Sequence, residues 1–438
     1  MVILNMVLSS VEPFLILFRR VHQGVGLHAS DRAVPQAEVE AWREVWREGK
    51  AETWADPPLD RTLDEAVAWM ERAQDNSRSC DGGVARHYSL ASGWGTSYPE
   101  TTGYIIPTLL LEARIRKDAT LLRRAQRMLE WLVEIQLPCG AYQGGTIDAR
   151  PVVPVTFNTG QILLGLAAGV EVFGDRYRQA MNAAAQWLVR TQDADGCWRR
   201  YPTPFAKRGI KAYETHVSWG LFEAERLQPG NGYGEAAIRN IRWALSQQAP
   251  NGWFSNCCLD DVSQPLTHTI GYVLRGIVEA YRFTGERSFL LAALRTAEGL
   301  LGAMRSDGYL AGRLNADWQG AVESCCLTGT EQIALSWLML YRETGDLRFR
   351  NAAFSANRYV RSTVRVDGPP ETRGAVKGSM PITGDYGRFE YLNWACKFFI
   401  DANRLEKTIR EEESELAISN YPEAPCFADS AASGSGSR

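Results

Sequence analysis

One turn recurs along this chain at a nearly constant interval. It opens on Gln, passes through a few polar residues, and closes on Gly followed by an aromatic or apolar residue. Copies run from Gln136 to Gly140-Ala141-Tyr142, from Gln192 to Gly196-Cys197-Trp198, and from Gln248 to Gly252-Trp253, with a weaker one at Asp307-Gly308-Tyr309. The period is about 56 residues, long enough for a pair of helices per repeat. Asp81-Gly82 and Asp367-Gly368 extend the series to about six units. A helical pair cannot bury its own apolar face, so each unit must lean on the next.

Between the turns the pattern is helical. Ala180, Ala184, Trp187 and Leu188 lie three and four apart, as do Leu122, Ala125, Leu129 and Leu132. Gly174-Asp175, Gly285-Glu286 and Gly345-Asp346 mark the breaks within units, where glycine ends one helix and an acid begins the next. The first helix of each later pair (from Gly160, His268 and Leu327) is apolar nearly all round and therefore an inner, buried helix. Residues 62–76 supply an unpaired outer helix and Phe389–Leu405 an unpaired inner one, and these two can close the series on itself. The predicted fold is all-α, an (α/α)6 toroid over 56–408, with an N-terminal extension at 1–55 and a flexible tail at 409–438. Arg19 and Arg20 follow the apolar stretch Met1–Phe18 instead of preceding it, which is the wrong order for a secretory signal, and no stable membrane insertion is expected.

The chain carries 48 Lys+Arg against 51 Asp+Glu, so charge gives no reason to expect a nucleic-acid partner. Nine cysteines, with Cys257-Cys258 and Cys325-Cys326 adjacent, form no secretory framework and point to reduced thiols and a cytoplasmic setting. No phosphate-binding loop, dinucleotide fingerprint or nucleophile elbow is present, and no cofactor is expected.

In such a ring the long loops lead into the inner helices, and polar and aromatic residues concentrate there. Glu100, Glu214, Asp317 and Asp385 are the candidate carboxyls, and His268 the candidate base. Tyr98, Tyr104, Asn158, His216, Trp219, Trp318, Tyr386 and Trp394 are the candidate substrate-binding groups, since flat faces with polar edges suit a sugar. A zinc site from Cys257, Cys258, Cys325 and Cys326 is a weaker alternative, because their spacing matches no standard module. His268 opens an inner helix, where the positive end of the macrodipole disfavours the imidazolium.

The segments Ser97–Tyr104, Pro265–Gly276, Cys326–Gly329, Gly378–Tyr386 and Asn393–Phe399 resemble those of helical-toroid proteins from bacterial polysaccharide gene clusters, over roughly residues 60–405. More distantly the chain resembles six-hairpin glycosidases, lyases and sugar epimerases. The Gln…Gly-Trp turns are similar to those of terpene cyclase and prenyltransferase toroids, although the Asp-x-Asp-Asp motif is missing. Glu323-Ser324-Cys325 resembles part of the cysteine-nucleophile arabinofuranosidase site, without its Cys-Cys-Pro motif. The resemblance implies a carbohydrate-active enzyme with an oligosaccharide or polysaccharide substrate. Its simplest form is a glycosidase with two carboxyls flanking the scissile bond. A lyase or uronyl epimerase with a His or Tyr base, a non-catalytic glycan-binding protein, and a terpene- or peptide-modifying toroid are the alternatives.

Overall fold

The computed structural model describes residues 36–49, 55–204, 206–207 and 209–419. The apolar segment Met1–Phe18 and the tail from 420 onward lie outside the described residues.

The helices form two concentric walls. The outer wall is α2 (Leu59–Asp75), α4 (Ala119–Glu134), α6 (Arg178–Thr191), α8 (Tyr233–Leu245), α10 (Arg287–Ala303) and α12 (Leu347–Thr363). The inner wall is α3 (Pro99–Arg116), α5 (Thr156–Phe173), α7 (Thr215–Leu227), α9 (Thr267–Thr284), α11 (Leu327–Thr344) and α13 (Asn393–Ser419). Each inner helix packs on the next, and α13 packs on α11, α2 and α3. The chain is therefore a closed (α/α)6 toroid. One further helix, α1 (Gln36–Glu48), belongs to the N-terminal extension and sits against the ring. The last inner helix runs on to Ser419, so the expected tail at 409 begins too early.

The Gln…Gly turn proves to be the joint between units. Gln136 Nε2 donates both to Gly140 O (3.0 Å) of its own turn and to Ala180 O (2.9 Å) of the next outer helix. Gln192 repeats this with Gly196 O and Ala236 O, and Gln248 reaches Ala292 O and Thr296 Oγ1. The glycine has a positive φ and lets the turn backbone lie against that next helix: a Cβ on Gly196 (φ +93°) would sit 2.5 Å from Arg239 O. Gln74 adds a copy that the spacing conceals, donating to Gly82 O (2.9 Å) and to Arg124 O (3.2 Å).

At the closing seam the expected glycine is displaced. The nearest atoms to a Cβ on Gly368 are those of the Arg365 side chain, whereas a Cβ on Gly374 would meet Glu65 O of α2 at 1.9 Å. Gly374 is the sixth joint, set six residues later by the turn at 369–373. Trp69 Nε1 donating to Glu371 O (2.8 Å) and Cys396 Sγ donating to Ala66 O (3.4 Å) complete the seam.

The inner helices converge through small residues. Cβ atoms on Gly165, Gly220 and Gly276 would lie 2.3–2.5 Å from backbone carbonyls of Gly103, Gly160 and Thr215 on the neighbouring inner helix. Short antiparallel ribbons bridge the mouth: β2 (Gly93–Trp94), β1 (His87–Ser89) and β5 (Glu390–Leu392) in that order, and β3 (Cys325–Cys326) with β4 (Ser379–Met380). The β1–β5 pairing, His87 opposite Leu392, ties the first unit to the last.

Candidate active site

A cavity of about 500 Å³ opens at the end of the barrel where the inner helices begin. Its lining follows the period of those helices. Glu100, Phe157, His268 and Trp394 come from the first turns of α3, α5, α9 and α13. One turn deeper, Tyr104 and Tyr272 line the cavity, and both pack on Phe398, about 6 Å from its ring centre (5.6 and 6.2 Å). Loops supply Arg86, Tyr98, Thr146, Tyr213 and Tyr386.

Among the described lining residues Glu100 is the one carboxyl. Tyr98 Oη donates to its Oε2 at 3.0 Å. Burial raises the Glu100 pKa to about 7; the Tyr98 bond and the Arg86 cation offset only part of that. Arg86 Nη1 donates to Glu390 Oε2 (2.9 Å) and His87 Nδ1 (2.7 Å), and its guanidinium lies over Trp394, 5.2 Å from the ring centre.

His268 stands on α9, with its ring centre 4.5 Å from that of Tyr272 and 5.3 Å from that of Tyr386. Gln332 Oε1 sits 2.8 Å from Nδ1, and with the amide oxygen turned to the ring, Nδ1 carries the proton and Nε2 the lone pair. Burial lowers the His268 pKa to about 4. Burial thus favours the neutral imidazole. Tyr386 Oη accepts from Trp394 Nε1 (2.9 Å), which leaves the phenol proton for another acceptor.

The cavity thus gathers Glu100, His268, Tyr98, Tyr104, Tyr386 and Trp394. The other candidates lie elsewhere. Glu214 is buried behind the wall, hydrogen-bonded to the Trp198 backbone, and burial raises its pKa to about 8. Asp385 stands on the rim with its Oδ2 2.7 Å from Arg313 Nε, and Arg313 also binds Asp260. Asp317 is exposed in the turn after α10, and Trp318 beside it packs over Gly299 on the outer wall, donating to Asn251 O (3.0 Å). Asn158 is buried in the first turn of α5, outside the lining. His216 is held by Gln161 (2.6 Å) below the cavity wall, and Trp219 lies deeper, under the Arg275 guanidinium at 4.0 Å. The four cysteines are buried free thiols, and among the described residues no cluster of three metal-binding side chains forms.

Arg86 lines the cavity without having been singled out by sequence, whereas Tyr213 and Tyr272, which also line it, belong to the polar and aromatic clusters at the inner helix starts. Tyr272 was legible as the residue four after His268 on the same helix face. Arg86 is a single charge in the loop four residues after Gly82 and carries no comparable signal.

The same fold occurs in solved enzyme structures. An unsaturated glucuronyl hydrolase specific for heparin superposes with a TM-score of 0.65 at 16% identity, covering 81% of this chain and 98% of its own. A sugar epimerase from a ruminal bacterium gives 0.65 at 13%, covering 80% and 98%. Cellobiose 2-epimerase from Bacillus thermoamylovorans gives 0.61 at 12%, covering 80% and 98%. At these identities the likeness establishes the fold. No family model matches the chain, and no curated protein matches it. Among the described residues no helix is long and apolar enough to cross a membrane.

Proposed function

We propose that this protein is an enzyme acting on a saccharide by proton transfer to and from the substrate, with Glu100 as acid and His268 as base, as in epimerisation or the hydration of an unsaturated sugar. The single observation that carries the reading is that one buried carboxyl, Glu100, and one neutral imidazole, His268, line the same cavity, among aromatic rings and few other polar groups. Hydrolysis by two carboxyls needs a second one roughly 5–9.5 Å away across the sugar, and Glu214, Asp317 and Asp385 are all outside the described lining. A protonated Glu100 can donate to a substrate oxygen or carbon while His268 Nε2 accepts a proton from carbon or water. Tyr104, Tyr272, Tyr386 and Trp394 offer faces for a pyranose ring and exclude water from it. The solved structures of like fold include enzymes named for unsaturated glucuronides and for sugar epimerisation, which supports a saccharide substrate.

The test is incubation with neutral disaccharides and unsaturated uronides in D2O, read by NMR. Deuterium fixed on a sugar carbon, and lost in His268→Gln, is the expected result. Release of reducing sugar with no carbon-bound deuterium would replace this reading with hydrolysis.

A further inference from the structure

The loop 378–387 brings Tyr386 to the cavity, and it is braced from outside the ring. Ser379 Oγ donates to Tyr386 O (2.8 Å) and accepts from Tyr386 N (3.2 Å), so the two ends of the loop are pinned together. Gly378 permits this closure, since a Cβ there would meet Tyr386 O at 2.4 Å. Just before the loop, Lys377 is buried, with its Nζ 2.6 Å from Glu44 Oε1 and 2.7 Å from Glu48 Oε1. Glu48 also accepts the backbone N–H of Ile382 within the loop, at 3.2 and 3.1 Å to its two oxygens. Both carboxylates belong to α1, in the N-terminal extension. A buried cation left without its counter-charges is costly, and so is a buried amide left without an acceptor. The ring alone therefore does not complete this wall.

We infer that α1 is a positioning element of the active site: Glu48, aided by Glu44, sets the 378–387 loop and through it the Tyr386 phenol beside His268. The role assigned to Tyr386 rests on the proposed saccharide chemistry, whereas the bracing of the loop does not.

Amide hydrogen exchange of the full chain, without substrate, separates the two. Glu48→Ala is expected to speed exchange across 378–387 by about tenfold or more while ring-helix amides stay protected. Glu48→Gln keeps an oxygen for the Ile382 amide and should fall between wild type and Ala; it serves equally if the Ala variant fails to fold. Faster exchange confined to α1, with 378–387 unchanged in both variants, would overturn the inference. With a turned-over sugar in hand, Glu48→Ala should lower kcat about tenfold and shift KM by less than about threefold, because the aromatic walls persist. An unchanged kcat beside a loosened loop would remove Tyr386 positioning from the account. A wild-type protein that turns over no saccharide would count against the proposed chemistry, and the exchange data would still decide the brace.

Discussion

Glu100 and His268 are displaced from their ordinary pKa values in opposite directions by the same cause, burial, and this has measurable consequences. Glu100 binds its proton more tightly when folded, at about 7 against 4.5. Its contribution to stability is fully present below pH 4.5 and is lost as pH rises through 7, a change of about 3 kcal/mol. Gln at this position mimics the neutral acid. The stability of wild type relative to Glu100→Gln should therefore fall by about that amount between pH 4.5 and 8 in urea titrations; a flat difference would mean the pKa is not raised. His268 has the reverse sign. Folded, it titrates near 4 against 6.5, so its contribution is present above pH 6.5 and lost as pH falls through 4. In the proposed chemistry the two limits bound a window: Glu100 is protonated below about 7 and His268 neutral above about 4. The kcat/KM profile should be bell-shaped with limbs near those values. His268→Gln should lose the acid limb and lower turnover by roughly two to four decades, and a variant that folds normally with near-wild-type turnover would exclude His268 as the base.

The inter-unit joint is the element on which the ring depends. Gln192 satisfies three partners at once: Gly196 O, Ala236 O and the Arg239 guanidinium. Gln192→Ala should cost about 1–3 kcal/mol, because it removes three hydrogen bonds across the joint, although Gly196 O keeps the Asn240 Nδ2 donor (2.9 Å). Gly196→Ala is expected to cost at least as much, about 2–4 kcal/mol, since φ is +93° and the Cβ has backbone 2.5 Å away with no room to yield. Thermal or urea unfolding of the two variants checks both figures. A cost below about 0.5 kcal/mol for Gly196→Ala would show that the joint can separate without loss.

Closure of the ring is expected to make unfolding cooperative. Gly374 against Glu65 and Trp69 against Glu371 O join residues about three hundred positions apart, so the seam forms only when nearly the whole chain is in place. An open helical array would lose its end units first. In the closed ring, Gly374→Ala should lower the midpoint of one shared transition, seen alike by far-ultraviolet circular dichroism and tryptophan fluorescence. A separate early transition of the terminal units would count against closure as the source of cooperativity.

The toroid was legible because its cause is local and repeated. The Gln…Gly turn and the three-and-four spacing are short-range patterns, and their period left little choice of architecture. The inner helix starts were legible for the same reason, which is how Glu100, His268, Tyr104 and Trp394 came to be named. Helical phase then decided what spacing could not. Glu214 and Asn158 occupy helix starts as polar as Glu100's, yet both side chains are buried outside the cavity lining. Asp317 and Trp318 share a loop composition with true mouth residues, but their loop folds back over α10. Arg86, the displaced joint at Gly374 and the grip of Glu48 on Lys377 all arise from contacts between residues about three hundred positions apart. Which side chain meets which across the closing ring depends on packing between distant units, and no local pattern encodes it.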